Sequence, residues 1–481
     1  MLMIFLVTCI ILVIQFLHSS LLHARNTKSK YKLPPGPSFL AIVRSIGELR
    51  KKPQQTLANL AKVHGPMIMH LIGQLTTIVI SSPEFAKEIL QTNDVLFSDR
   101  KIPQAATVQN HYQFSLAFLP ISPIWTDLRR ICNNTMFSNK TLDASQELRL
   151  KMVQELITID IGRLSFKMIL NLLSKTFFSM DLVQSIGEID EYKDMVGNLA
   201  RAIATPNLGD VFPFLTIFDL HGIRWSSRTY IPMLFNIFND HIDKRLKLRE
   251  EENYVAKSSN KDVFEALLNI SQEKGQKMDT EKIKHLFLDL IIAGIDTSSY
   301  VVERAMTELL HNPNIMSKAK MELEQTIGIG NPLQESQIEN LPYLEAIIKE
   351  TLRKYPPAPF LLPRKAKENV EIHGYIIPKG AQVIINEWGI GRNPNIWDDP
   401  NLFSPKRFLG SNIDYVKGHD CNFTPFGGGR RICPGMKLAT KMLHLMLGSM
   451  VNSFNWRLEN DMKPEDMDLD QQLRAIAVRI N

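Results

Sequence analysis

Phe426-Gly427-Gly428-Gly429-Arg430-Arg431-Ile432-Cys433-Pro434-Gly435 sets one cysteine behind three consecutive glycines and two arginines, just ahead of an apolar helical pattern. A cysteine binds metal as its thiolate, which needs positive surroundings and donated hydrogen bonds. Glycines let the backbone fold tightly around a sulfur and let a flat cofactor come close. Pro434 lacks an N–H and suits the first turn of a helix. Cys433 is then expected beside the positive end of that helix, with a lowered pKa. A lone cysteine is more often a small inert core residue. The pattern carries more weight: Phe-x-x-Gly-x-Arg-x-Cys-x-Gly, held by Phe426, Gly429, Arg431, Cys433 and Gly435.

Upstream, Thr280 to Asn312 repeats apolar residues at helical spacing (Ile283, Leu286, Phe287, Leu290, Ile291, then Val301, Val302, Ala305, Leu309) and stops at Asn312-Pro313. About 30 residues make a helix about 45 Å long. Inside it lies Ala293-Gly294-Ile295-Asp296-Thr297-Ser298. Gly294 costs about 1 kcal/mol against Ala, and Asp296 and Thr297 are weak helix formers, so a local break is expected. A threonine bonded to the carbonyl four residues back would give a bend without chemistry.

The 481 residues are 44% hydrophobic, enough for a large core. The net charge of +6 includes no Lys/Arg block long enough to imply nucleic acid. Cys9, Cys132, Cys421 and Cys433 show no C-x-x-C spacing, which supports neither a disulfide framework nor zinc. Met1 to Leu22 is nearly all apolar, about the thickness of a bilayer as a helix, and Arg25, Lys28, Lys30 and Lys32 follow. The expected organisation is a transmembrane anchor over 1–23, a basic and proline-rich hinge over 24–37, and a cytosolic catalytic domain over 38–481. Between Met67 and Ser81, β-branched residues around Gly73 predict a hairpin, and Val370 to Ile385 predicts further strands. Ser82-Pro83 predicts a helix start. Glu251 to Lys261 predicts a solvated linker.

The cysteine loop, with Gly-x-Asp-Thr on a long apolar helix before it, resembles the haem-binding and distal motifs of the cytochrome P450 family. Phe360-Leu361-Leu362-Pro363-Arg364-Lys365-Ala366 and Gly391-Arg392-Asn393-Pro394 look like the plant microsomal branch that includes geraniol 8-hydroxylase and ferruginol synthase. The resemblance runs from Pro34 to about Gln472. It implies a mainly α fold with a small β region. It makes Cys433 the axial thiolate of haem b. Phe426, Gly429, Arg431 and Gly435 would form the cofactor loop, with Trp125, Arg129 and Arg364 as propionate partners. Thr297 would steady bound O2 and an ordered water, and Asp296 would relay protons. Glu350, Arg353 and Arg407 would form an ion-pair scaffold behind the loop, where relatives usually have Glu in place of Lys406. The substrate pocket would draw on Phe114, Ala293, Phe360 and Leu361, with Val108, His111, Phe118 and Leu119 as further contacts from the irregular stretch 97–123.

The activity so implied is O2-dependent hydroxylation of an apolar small molecule, such as a terpenoid, at the endoplasmic reticulum membrane. Electrons would come from NADPH through a reductase docking near Arg129, Arg130 and Arg430. Two alternatives stand beside it: a haem-thiolate isomerase or lyase, which needs no proton relay, and a haem-binding relative without turnover. Two departures from the family bear on the last. The join at Ile157 to Asp160 is about fifteen residues shorter than usual, and a hairpin of about ten residues near Gln472-Leu473 is absent (about the size of a short two-stranded unit).

Overall fold

The computed structural model describes residues 32–72, 75–154, 161–179, 181–183, 186–205, 207–250, 262–273, 280–329, 331–415, 421–458, 462–467 and 475–479. The apolar segment 1–23, most of the hinge, the join at 157–160, the linker 251–261 and the junction at 472–473 lie outside them.

Helices build most of the body, and one of them organises it. Thr280–His311 runs through the main core and packs against Ile161–Phe178, Ile186–Ala204, Met436–Ser453 and Pro342–Lys354. Among the described residues it is the helix long and apolar enough to cross a membrane, but two-thirds of its apolar window is buried inside the protein. Its apolar repeat is spent on the core.

The expected break in this helix does not occur; residues 280–311 are helical throughout. Packing explains why. A Cβ on Gly294 would come within 3.1 Å of the Leu173 side chain. The glycine lets the neighbouring helix approach, and that contact outweighs its weak propensity. The Thr297 hydroxyl donates to the Ala293 carbonyl four residues back at 2.6 Å, so the hydroxyl is accommodated without a break.

The strands are β1 (Met67–Ile72), β2 (Leu75–Ile80), β3 (Arg364–Lys365), β4 (Val370–Ile372), β5 (Tyr375–Ile377), β6 (Gln382–Ile385), β7 (Phe454–Leu458) and β8 (Ala475–Arg479). Four of them form a sheet in the order β1-β2-β6-β3. β1 and β2 are antiparallel neighbours, as the sequence around Gly73 predicts, and β2 pairs with β6 in parallel. β3 then pairs with β6 so that Arg364 lies opposite Val383. This register fixes Arg364 at the edge nearest the cysteine loop. β4-β5 and β7-β8 are separate two-stranded units. Residues 32–36 lie against the body: Lys32 bridges to Tyr375, and the Met69 N–H donates to the Pro35 carbonyl at 2.8 Å.

Two local expectations need adjustment. Ser82 caps its helix as predicted. Pro434, however, precedes its helix, because Met436–Ser453 starts after an N-cap at Gly435. The irregular stretch contains a 3-10 segment, Gln104–Gln113, broken at Val108 to Asn110, where Gln109 and Asn110 take φ of 49° and 54°.

Candidate active site

The cysteine loop is closed by its own backbone. The Cys433 N–H donates to the Phe426 carbonyl at 3.0 Å, and the Phe426 ring packs on Tyr415 with centroids 5.2 Å apart. Gly429 has φ 63°, and a Cβ there would lie 2.1 Å from the Leu90 carbonyl oxygen, so only glycine fits this turn. Cys433 is partly enclosed. Burial pushes its thiol up, while the Gly435 N–H, the Arg129 guanidinium and the Met436 N–H pull it down. The net shift is upward, against the sequence expectation. The helix-terminal donors are present, but desolvation outweighs them.

Four arginines converge on this loop from different elements. Arg431 donates from Nε to the Ser98 carbonyl at 2.9 Å, from Nη1 to Leu116 at 3.1 Å and from Nη2 to Leu119. Its guanidinium carbon stands 4.8 Å from the centroid of the Trp125 ring, whose Nε1–H donates to the same Leu116 carbonyl at 3.1 Å. Arg129, one turn after Trp125 on the Pro123–Ile131 helix, donates to the Ile432 carbonyl at 2.7 Å. Arg364 donates to the Gly428 carbonyl at 2.8 Å. Arg100 donates to the carbonyls of Leu362 and, at 2.9 Å, Pro363. Among the described residues none of the four has a carboxylate within ion-pair distance, and Arg364 Nη1 and Arg100 Nε are buried without any partner. Burial and mutual repulsion lower Arg100 well below its ordinary range and Arg431 to about 10; burial lowers Arg364 to about 10. Buried cations with unfilled donors fit an anionic ligand with more than one carboxylate. Haem, with two propionates and an iron for Cys433, matches that donor set.

The central helix carries the second group of expected site residues. Ile291, Ile295, Ser298 and Ser299 are buried, yet Ala293 and Asp296 between them are exposed. An accessible stripe midway along a core helix marks a hollow beside it. Asp296 touches solvent there but is crowded by packed atoms; burial raises its carboxyl pKa, with Lys193 and Arg201 opposing. Thr297 sits one residue on, bonded to Ala293.

Behind the loop, the Glu350 carboxylate receives Arg353 Nε at 2.7 Å and Nη2 at 2.8 Å, Arg407 Nε at 3.1 Å and the Ser404 N–H at 2.7 Å. Arg353 also donates to the carbonyls of Gly391 and Pro400. Glu350 and Arg353 are almost wholly buried.

Of the expected pocket residues, Leu361 has φ 51° and lies 3.9 Å from a Cβ built on Gly427, beside the cysteine loop. Phe114 packs against His285 of the central helix. Val108, Phe118 and Leu119 are buried in the core. Phe360 does not join them; it packs against Leu57, Ile68, Val79 and Ile384 on the sheet side. Arg129 points inward to Ile432, so it is not a free surface cation. Sequence reasoning missed Arg100, which comes from a stretch with no periodicity; between Asp99 and Lys101 it reads as one more surface charge, and nothing in the spacing marks it.

Comparison with known proteins places these features in context. The sequence model for Cytochrome P450 matches residues 34–479. Geraniol 8-hydroxylase from Catharanthus roseus is 44% identical over 93% of this chain and 92% of its own length. Drimenol monooxygenase from Persicaria hydropiper is 42% identical over 96% of this chain and 94% of its own length. A zebrafish cytochrome P450 structure with progesterone superposes with a TM-score of 0.70 at 24% identity, covering 89% of this chain and 98% of that one.

Proposed function

The chain belongs to the cytochrome P450 family, and on that premise we propose that it is a haem-thiolate monooxygenase hydroxylating an apolar terpenoid with O2 and electrons from NADPH through a reductase. The observation that carries this reading is the set of four carboxylate-free arginines around Cys433, two of them with buried nitrogens left empty. Two relatives whose names specify terpenoid alcohols support the substrate class.

Haem, when bound, supplies O2 activation and C–H oxidation. Cys433 would ligate its iron, held by the Gly435 and Met436 N–H groups. Trp125, Arg129, Arg364 and Arg431, with Arg100, would hold the propionates. Phe426, Gly429 and Gly435 shape the proximal loop. Thr297 gives its proton to Ala293, which leaves its oxygen lone pairs free to orient a water. Asp296 has solvent on one side, and burial raises its carboxyl above the ordinary aspartate range, so it would hold a proton to higher pH than a free aspartate does. The apolar walls around Ala293, Phe114 and Leu361 would admit a hydrocarbon body and exclude water.

We propose a single-pass anchor in the endoplasmic reticulum membrane over residues 1–23, joined by the hinge over 24–37 to a cytosolic domain. Exposed Ile217, Phe218, Leu220 and Trp225 on one contiguous segment would rest on the same lipid surface. A reductase would dock on the proximal face through exposed Arg130, Lys140, Arg430 and Lys437 around the start of the closing helix. Of these, Arg130 and Arg430 already contact Asp127 and Asp94, pairs weak enough at the surface to exchange.

The test is turnover. Holoenzyme with reductase, NADPH and a panel of terpenoids should give a hydroxylated product with matching NADPH consumption. Full haem loading with no NADPH-dependent product across the panel would contradict the proposal.

A further inference from the structure

A buried polar cluster with no part in the chemistry above lies between the 104–113 segment and the central helix. His111 Nε2 is 2.9 Å from Asp289 Oδ1, and His111 Nδ1 is 2.8 Å from His285 Nδ1. Asp289 also accepts from Ser115 Oγ at 2.9 Å and from the Leu116 N–H at 2.7 Å. The carboxylate oxygens accept from all three partners, which makes His111 Nε2 a donor. His111 and His285 are each 2% exposed. Phe114 stacks on His285 with centroids 5.0 Å apart, and Phe235 meets it edge-on at 4.9 Å. Burial, and then His111, lowers His285 to about 4, so its ring is neutral at neutral pH.

This chain of bonds uses every polar atom but one. His285 Nδ1 is spent on His111, and His285 Nε2 has no partner among the described residues. The ring as a whole is buried, but Nε2 is not among the fully buried side-chain nitrogens left without a partner, so it borders accessible space from which a ligand atom can reach it. We infer that His285 Nε2 is the hydrogen-bonding partner of a hydroxyl group on the substrate, and that this bond decides which end of a terpenoid alcohol lies over the reaction centre.

The position suits the task. His285, Asp289, Ala293 and Thr297 recur every four residues, so each neighbours the next along one side of the helix. Eight residues separate His285 from Ala293, about 12 Å of helix rise. A hydroxyl held at His285 leaves the far end of an extended monoterpenoid beside Ala293 and Thr297. The chemistry also selects a hydroxyl. With His111 Nε2 donating to Asp289, His111 Nδ1 is left as an acceptor, so His285 Nδ1 carries the proton of the Nδ1–Nδ1 contact and His285 Nε2 presents a lone pair. A hydroxyl can donate to that lone pair; a carbonyl or an ether has no hydrogen to give. A carboxylate would meet the negative charge of Asp289. A cavity of about 270 Å³ between the 104–113 segment and the Ile223–Glu250 helix, lined by Thr107, Val108, Gln109, Arg224, Arg228 and Pro232, opens on the same two elements that carry His111 and Phe235.

The inference rests on the monooxygenase reading, and binding measurements separate the two. Holoenzyme is titrated with geraniol and with drimenol, each beside the hydrocarbon that lacks its hydroxyl. Wild type should bind at least one alcohol about tenfold or more tighter than its hydrocarbon. His285→Phe, which keeps the stack on Phe114, should bring that ratio to about one and leave hydrocarbon affinity unchanged. His285→Gln, which keeps a polar terminus, should restore part of it. No preference for either alcohol in wild type, or a preference that survives His285→Phe, overturns the inference. If His285→Phe fails to bind haem, the wild-type ratio and His285→Gln decide the matter. Absence of turnover would sink the monooxygenase reading and leave these ratios legible; turnover without hydroxyl discrimination would sink this inference alone.

Discussion

Two groups of buried arginines flank the cysteine loop, and they are opposites. Arg353 and Arg407 meet the Glu350 carboxylate, and Arg353 fills its remaining donors with backbone carbonyls. That cluster is complete within the chain. Arg100, Arg129, Arg364 and Arg431 reach only carbonyls, repel one another and leave two buried nitrogens empty. One group has the make-up of a scaffold, and we propose the other as the socket for the haem propionates. A residue type therefore says little about role; the account of its donors says more.

The largest effect should come from breaking the complete cluster. Arg353→Met leaves the buried Glu350 carboxylate with only Arg407 and the Ser404 N–H and empties the Gly391 and Pro400 carbonyls, and a loss of about 3 kcal/mol is expected in chemical denaturation of apoprotein and holoprotein alike. Equal stability of variant and wild type would show that the two clusters do not differ as described.

Glu387 links the two regions. It opens the short Glu387–Ile390 helix that leads to Gly391, the carbonyl held by Arg353, and its carboxyl accepts from the N–H and hydroxyl of Thr424, two residues before Phe426. Burial raises it from 4.5 to about 7, with Thr424 opposing. The folded state thus holds this proton at pH values where the unfolded chain has released it. Its contribution is full below pH 4.5 and is lost as pH rises through 7, on the order of 3 kcal/mol in all. Glu387→Gln should flatten the stability profile between those values and leave the variant more stable than wild type at pH 8. An unchanged slope would place the titration elsewhere.

The incomplete cluster should answer with a change of sign. Arg364→Met removes one of the mutually repelling cations, so the apoprotein should melt higher than wild type. The same change should weaken haem retention about ten- to a hundredfold, the worth of one charge-assisted hydrogen bond. Loss of stability in both forms would make Arg364 scaffold. The smallest effect on stability is expected at Thr297→Ala, within about 1 kcal/mol because only a bond to the helix's own carbonyl is lost. Its consequence should be functional: NADPH consumed without matching product. Intact coupling would remove Thr297 from the proton path.

What the sequence made legible was local. The cysteine loop and the Glu350–Arg353 pair each lie within a few residues, the long apolar helix is one unbroken run, and spacing reveals all three. Contacts that close across the chain were hidden. Arg100 meets Leu362 and Pro363, and His111 meets His285, through packing that no short pattern encodes. Gly294 looked like a break because propensity was visible and its neighbour Leu173 was not. Phe360 stood beside Leu361 in sequence, but the chain turns there, with Leu361 at φ 51°, and Phe360 packs on the sheet side. The Cys433 shift was misjudged for the same reason: helix donors can be read from Gly435 and Met436, and burial cannot.

The central claim is that Cys433 and the carboxylate-free arginines form a haem-thiolate site. The reduced, carbon monoxide-bound absorption spectrum of wild type and Cys433→Ser tests it most directly. Wild type should give the red-shifted Soret band of a thiolate-ligated haem, and Cys433→Ser should lose it. A thiolate-type band that persists in Cys433→Ser, or is missing from haem-loaded wild type, would contradict the account.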